Sequence, residues 1–403
     1  MVRRIDPLQQ EMSAILKQAA AGDAISLARA LVATPSVNPE LEEGGAGEQE
    51  VANLVAGWLE GWGVSVQVSE PSPGRFNVLG RIGKAGTGKV LLLNGHLDTV
   101  GIAGMTVDPF GVRIEDGRLW GRGSCDMKGG VAAILAAAAL LQRNKPEYGT
   151  IYVALTADEE NASVGIQAFL KDGLWADGAI VCEPTGLTIM PAHKGFVWIE
   201  ALFAGNAAHG SRSDIGVDAI EHAAQYLIRV ADLRRKLESR QAHPLLGHGS
   251  IHAGTITGGS APSIYPASCK VVLERRTLPG EDITAIMEEF QSALRDLERE
   301  VPELSAHLKH TLIRSATEVE AGSMLIERLA KVCNSEKVNP LKLGMTAWVE
   351  ASFLNEAGIP AICFGPGSIG QAHSDDEWIR VEEIEQCASV LERFARVFLE
   401  EQD

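Results

Sequence analysis

The sequence is poor in positive charge. Its 36 lysines and arginines stand against 53 aspartates and glutamates, for a formal net charge of −17. Such a surface repels nucleic acid and anionic membranes, so neither is expected as a partner. An anionic small substrate stays open, because one local arginine binds a carboxylate whatever the overall charge. Paired cysteines are also missing. Cys125, Cys182, Cys269, Cys333, Cys363 and Cys387 are scattered without a CxxC pair, which reads as free, mostly buried thiols in a reducing cytoplasm. Long apolar runs are absent too. The longest, Val131 to Leu141, is too short to span a membrane. The opening MVRRIDPLQQEMSAILKQ lacks the continuous apolar core of a secretory signal. A soluble, cytoplasmic chain is expected. There is no GxxxxGK[ST] loop, and GRGSCDMKGG lacks the spacing of a dinucleotide fingerprint, so a nucleotide-binding protein is set aside.

A chain of 403 residues, 45% hydrophobic and 22% charged, is long enough for two domains and a full core. Metal ligands in it would serve chemistry rather than folding. The first part alternates helices and apolar strands: helix 48–62, strand 89–93 leading into a turn at Asn94-Gly95, an Ala-rich helix 131–143, and strands 151–155 and 179–182. This predicts an α/β fold, a mostly parallel sheet with helices on both faces. The middle reads β-α-β-β-α-β: strand 197–203, helix 217–239, strands 250–257 and 267–276, helix 282–300 and strand 305–313. That order is the ferredoxin-like arrangement of an inserted α+β domain. The expected domains are therefore residues 1–190 and 313–403, together the catalytic α/β domain, with the insertion at 191–312. No internal repeat or low-complexity segment is visible.

Five segments place acids or histidines after a strand or in a glycine-rich loop, where ligands of open α/β sheets gather. His96 and Asp98 stand two apart in Asn94-Gly95-His96-Leu97-Asp98, and Asp98 is placed to orient His96. By itself this pair also describes a polar turn. Asp126 in GRGSCDMKGG precedes a helix and taken alone reads as an N-cap. Asp158-Glu159-Glu160 follows a strand; three adjacent carboxylates repel unless something positive sits there, or they form a solvated acidic loop. Glu183 ends a strand, and His373 lies in the loop GPGSIGQAHSDDE.

Together these residues close a ligand count. His96, Asp126 and Glu183 would hold one metal; Asp126, Glu160 and His373 would hold another, with Asp126 bridging. Mixed His and carboxylate ligands suit catalytic zinc. Two such ions roughly 3.5–4 Å apart polarise a carbonyl and generate hydroxide near neutral pH. Glu159 is left as general base, taking a proton from water and delivering it to the leaving amine.

With GHLDTV, GRGSCDMKGG, TADEE, AHGS, RTLPGE and FGPGSIGQAHSDDE in this order, the sequence resembles the di-zinc amidohydrolase family that includes acetylornithine deacetylase, succinyl-diaminopimelate desuccinylase, aminoacylase and carboxypeptidase G. The likeness runs from Thr34-Pro35-Ser36 to about Val381. It implies the ligand set above, Asp98 behind His96 and Glu159 as base. It implies that the insertion is a lid forming a homodimer, and that His209, in Ala207-Ala208-His209-Gly210-Ser211, reaches the partner's active site to stabilise the oxyanion. It implies that Arg276, rather than Arg275, binds the substrate carboxylate.

Two positions depart from the family pattern. Gly258-Gly259-Ser260-Ala261-Pro262-Ser263 has no Asn where many relatives carry one, leaving Ser263 as the candidate substrate contact, and Glu350-Ala351 stands where relatives often have Asp-Ala. The expected reaction is hydrolysis of an N-acyl-L-amino acid such as N-acetyl-ornithine, with two zinc, cobalt or manganese ions. Desuccinylation or dipeptide cleavage by the same chemistry is the close rival. A non-catalytic metal-binding scaffold would have lost a ligand or the base, and none is missing.

Overall fold

Apolar runs rich in Val, Ile and Leu form the centre of the computed structural model, which describes residues 7–84, 86 and 88–400. Residues 1–6, part of the stretch read as lacking a signal core, lie outside the described residues. The chain divides into two compact units: residues 1–191, 319–343 and 349–403, and residues 192–318 with 344–348.

The first unit is built on a sheet whose strands run, from one edge, Ser65–Ser72, Arg75–Gly83, Thr150–Thr156, Val90–His96, Gly178–Val181, Ala361–Cys363 and Ile189–His193. Thr150–Thr156, Val90–His96, Gly178–Val181 and Ala361–Cys363 are mutually parallel. Flanking strands join antiparallel on both sides. The sheet is thus mixed, with a parallel centre, rather than mostly parallel. The hairpin 65–83 is the main addition, and the polar, largely exposed SVQVSEPS carries no apolar run to announce it.

Asn94-Gly95 is a second correction. Both residues continue the strand Val90–His96 instead of turning the chain. The Asn94 side chain donates to the Ala154 carbonyl at 3.1 Å. A Cβ at Gly95 would lie 2.9 Å from Met127 Cε and 3.2 Å from Val131 Cγ2, so the glycine admits a helix rather than a turn.

That helix, Gly129–Arg143, is apolar all round and packs against Ala24–Ala33 and Val381–Glu400. The stretch Ser124–Arg143 is long and apolar enough to cross a membrane, but 94% of its most apolar window is buried inside the protein, as in a core helix. Helices cover both faces of the sheet, with Val164–Lys171 and Ala351–Glu356 forming a separate packed pair.

The second unit has four antiparallel strands in the order Ser250–Gly258, Ser268–Thr277, Gly195–Ala204, Ser305–Arg314. With helices Ala219–Glu238 and Ile283–Glu300 as crossovers, this is the ferredoxin-like topology. Asp218 and Asp282 cap those helices, accepting from Ile220 and Glu221 and from Thr284 and Ala285 respectively. Strand Gly195–Ala204 alternates, sending Val197, Ile199, Ala201 and Phe203 into the core.

The boundary expected at residue 312 falls instead at 318, because Thr317–Glu318 pair with His193 and Ala192. The ribbon 344–348 also belongs to this unit. Its Trp348 ring meets Phe196 edge-on, with centroids 6.3 Å apart.

Candidate metal centre

Two groups of ligand-type atoms in the first unit each lie within 4.8 Å of one another: His96, Asp126 and Glu183, and Asp126, Glu160 and His373. Asp126 is common to both. Its Oδ1 is 3.2 Å from His96 Nε2, and its Oδ2 is 3.4 Å from His373 Nε2. His373 Nε2 is also 3.1 Å from Glu160 Oε2. One carboxylate thus faces an imidazole with each oxygen.

Local structure explains each placement. His96 ends a central parallel strand, and its Nδ1 donates to the Asp98 carbonyl oxygen at 2.9 Å, which turns Nε2 toward Asp126. The sequence gives this orienting task to the Asp98 side chain, but the nearest Asp98 carboxylate oxygen stays 3.6 Å from Nδ1. That carboxylate instead accepts the Glu159 N–H at 3.0 Å and the Glu160 N–H at 3.2 Å.

Asp126 is no N-cap. It lies inside the tight turn Ser124–Lys128 with extended backbone, its peptide to Met127 is cis, and its side chain faces the histidines. Glu377, fully buried, grips this turn: Oε1 accepts from the Cys125 and Asp126 amides, and Oε2 from the Gly123 amide and the Arg122 guanidinium, all at 2.7–3.0 Å. Because Glu377 follows His373 by four residues, one short segment touches both sides of Asp126.

The three adjacent acids separate. Asp158, with left-handed backbone (φ 66°), turns back to Arg75, while Glu159 and Glu160 face the cluster. Glu183 follows the strand Gly178–Val181, and the amide before it, Cys182 N–H, is fixed on the Asn94 carbonyl at 3.0 Å.

The electrostatics are those of too many acids in a dry place. Burial pushes Glu183 up to about 8, and the Asp126 charge adds to it. Burial likewise raises Glu159 well above the usual range; His96 opposes this, while Glu183, Glu160 and Glu350 reinforce it. Glu350 is raised to about 8, chiefly by burial. Burial acts against a charged His96, yet its hydrogen bond to Asp126 and the Glu159 and Glu183 charges hold it well above the ordinary histidine value. His373 is pushed up to about 10 by its bonds to Asp126 and Glu160. Both shifts have one cause: the converging carboxylates favour positive charge at the centre. Two imidazoles and three carboxylates converging this closely fit a pair of divalent cations of the zinc, cobalt or manganese type.

Three remaining candidates lie in the second unit. Arg276 is half-buried on the strand face opposite the core, its guanidinium 5.1 Å above the Phe196 ring and its Nε on Glu274 at 2.7 Å. Arg275 points inward, buried against Glu281. His209 is exposed, with Nδ1 2.9 Å from the Ser211 hydroxyl. Exposed Ser263 lies across a short backbone pairing, its carbonyl accepting the Gly210 N–H at 2.7 Å.

Sequence reasoning passed over Glu377, Arg122, Asn38, Arg75 and Glu48. Three acids, Asp375, Asp376 and Glu377, stand in line after His373, and nothing in their order tells which one is buried. Asn38, Glu48 and Arg75 belong to no strand-end motif; only the fold brings them to the acidic loop.

Fold and site together define an enzyme of the amide-bond hydrolases. Residues 92–397 match the model of Peptidase family M20/M25/M40. The chain is 32% identical over 376 residues to the acetylornithine deacetylase of Proteus mirabilis (strain HI4320), covering 91% of this chain and 94% of that one. It also resembles a Staphylococcus aureus tripeptidase structure (TM-score 0.79, 18% identity, 94% of this chain and 99% of that one). A Bacillus subtilis protein described as a dinuclear metal binding peptidase of the M20 family superposes with TM-score 0.73 and 16% identity over 95% of this chain and 99% of that one. The chain belongs to the M20/M25/M40 peptidase family.

Proposed function

We propose that the protein hydrolyses the amide of an N-acyl-L-amino acid, with an acyl group and amine like those its acetylornithine deacetylase relatives are named for. The observation that carries this is the pair of ligand triads sharing Asp126, with Glu159 beside them and its amide fixed on Asp98. His96, Asp126 and Glu183 would hold one divalent ion, and Asp126, Glu160 and His373 the second; zinc suits both, as do cobalt and manganese. Bound there, the ions would polarise the scissile carbonyl and acidify a water.

The protein's own groups do the rest. Glu159 takes the water proton on its carboxylate and returns it to the departing amine nitrogen. Its burial, which favours the protonated form, suits the second half of that task. Asp98 keeps the Glu159 backbone in place. Arg276 would fork the substrate carboxylate with its end-on nitrogens, since Glu274 already holds Nε. Ser263 would touch substrate where many relatives carry Asn, and His209 would donate to the developing oxyanion of a partner's site.

A homodimer is supported by the exposed edge strand Ser250–Gly258, whose Ile256, with Ile220 and Ile228 of the adjoining helix, is left largely open. A reducing cytoplasm suits six cysteines that are all buried and unbridged.

The test is amine release from N-acetyl-ornithine, N-succinyl-diaminopimelate, several N-acyl amino acids and a dipeptide, by zinc-loaded and chelated enzyme. Turnover that vanishes with the metal and is greatest on an N-acyl amino acid is expected. Preference for the succinyl compound or the dipeptide would replace the deacylase reading by that rival. In parallel, Glu159→Ala should retain both ions and lose about 10²- to 10⁴-fold in kcat. Undiminished turnover would remove Glu159 as base.

A further inference from the structure

Against the backbone of Asp158, Glu159 and Glu160, the first unit buries three more carboxylates that belong to neither ligand triad. Glu48 and Asp98 are fully buried and Asp158 is 3% exposed, around a single guanidinium, Arg75, itself 5% exposed. Buried carboxylates are costly unless paired and bonded; here one guanidinium and one amide serve all three, leaving Glu48 Oε2 and Arg75 Nε as the cluster's buried atoms without a hydrogen-bond partner. The bonds run in one direction, toward the loop that carries the proposed base.

Arg75 Nη2 contacts Glu48 and lies 3.2 Å from Asp158 Oδ1 and 3.7 Å from Asp98 Oδ2. Its Nη1 donates to Asn38 Oδ1 at 3.0 Å. Asn38 Oδ1 also accepts the Glu40 N–H at 3.1 Å, which fixes the orientation of the amide. Asn38 Nδ2 then donates both to Asp98 Oδ2 at 2.8 Å and to Asp158 Oδ1 at 3.0 Å. Asp98 in turn holds the Glu159 and Glu160 amides. Glu48 accepts the Asp158 N–H at 3.3 Å. Each of the amides of Asp158, Glu159 and Glu160 therefore ends on a carboxylate that Arg75 or Asn38 holds.

We propose that Arg75, with Asn38, is a positioning residue that sets the Asp158-Glu159-Glu160 backbone, placing Glu160 as ligand and Glu159 as base without touching substrate or metal. The proposal rests on the functional reading above. Asp98 and Asp158 bear like charges and approach one another only through the shared Asn38 amide and the guanidinium. Without Arg75 that pair separates, and the loop it fixes moves with it. The opposite wall of the centre, made by His96, Asp126 and Glu183, is held by the Asp98 carbonyl, Glu377 and the Cys182 amide. Of these only Asp98 also meets Arg75, and it does so through its carboxylate rather than the carbonyl that holds His96. The effect should therefore fall mainly on the Glu160 side, where the Asp98 carboxylate holds the Glu159 and Glu160 amides.

The test is a titration of metal-free protein with Co²⁺ alone, followed by its visible absorption and by calorimetry, for wild type, Arg75→Ala, Arg75→Lys and Asn38→Ala. In wild type two binding steps are expected. Arg75→Ala should weaken one step about 10- to 100-fold, the range for loss of an outer partner of a ligand. The other step should change less than about threefold. His373→Ala, marking the Glu160 site, should weaken the same step. Arg75→Lys should recover part of the loss, and guanidinium ion added to Arg75→Ala should recover more. Under turnover kcat should fall with KM little changed. Two unaltered steps, or two equally weakened ones in a folded variant, overturn the proposal. If Arg75→Ala does not fold, the same criteria apply to Arg75→Lys and Asn38→Ala. Failure of wild type to bind two ions would instead sink the metal reading, and this proposal with it.

Discussion

Asp98 does two things with two parts of one residue. Its carbonyl fixes the tautomer of His96, and its carboxylate ties down the next acidic loop, so one short turn couples a ligand of the first triad to a ligand of the second. Such division between backbone and side chain is invisible to motif reading, which credits a motif residue with its side chain. The sequence grouped the right residue types because strand ends are where side chains converge. It grouped Asp126 with both histidines but gave the Asp98 side chain the wrong partner, because that contact depends on the turn bringing the Glu159 and Glu160 amides to it. Glu377, which grips the Asp126 turn, stands too far along the chain to be read with it. His193, outside the centre, allows a test by pH. Burial pushes it down to about 4 against the opposing bond to the Lys194 carbonyl, while its Nε2 lies 2.9 Å from the Thr317 hydroxyl. The unfolded chain therefore binds a proton that the folded one refuses between about pH 6.5 and 4. Stability from this group is fully present above pH 6.5 and is lost as pH falls through that window, by about 3 kcal/mol in all. His193→Gln should lose that slope, so the stability gap between wild type and variant should shrink by that amount from pH 7 to pH 4. A gap constant with pH would show that the ring is not buried neutral.

At the scale of elements, two glycines in helices make opposite demands. A Cβ at Gly130 would sit 2.2 Å from the Cys182 carbonyl oxygen, which is backbone and cannot swing aside. The Gly129-Gly130 pair thus lets its helix start hard against the strand end that delivers Glu183. Gly57, inside helix Gln49–Gly61, has nothing within 4 Å of its would-be Cβ. Gly130→Ala should lower stability by about 1–3 kcal/mol and weaken metal binding at the Glu183 triad. Gly57→Ala should raise stability by about 0.5–1 kcal/mol. Thermal unfolding of both variants decides, and shifts of the same sign would contradict this account. The Ala-rich helix and the central parallel strands were legible because burial on all sides leaves an unbroken apolar run. The hairpin 65–83 was not, since a half-exposed edge with Pro71 and alternating polar residues writes no such run. Position 95 misled because an Asn-Gly pair usually marks a turn; here glycine answers to a neighbour's bulk.

For the whole molecule, the β-α-β-β-α-β order of the second unit was readable because each of its strands and helices has its own period. Its edges were not, since short pairings such as Thr317–Glu318 carry too few residues to show one. The proposed dimer makes a prediction of its own. His209→Ala protein mixed with Glu159→Ala protein should regain part of the activity each lacks, because one protomer of the hybrid would combine an intact base with an intact partner histidine. Absence of recovery, with subunit exchange verified by mass, would confine His209 to its own chain. The ribbon 344–348, finally, means that the backbone passes between the two units four times rather than twice. The second unit is therefore not a cassette. Excising residues 192–318 as a single piece would leave Trp348 behind and strip Phe196 of its edge-on neighbour. Grafting that piece onto another member of the family would import a module lacking five of its own residues. Exchange between such enzymes, whether by recombination or in the laboratory, has to carry the late segment along with the early one.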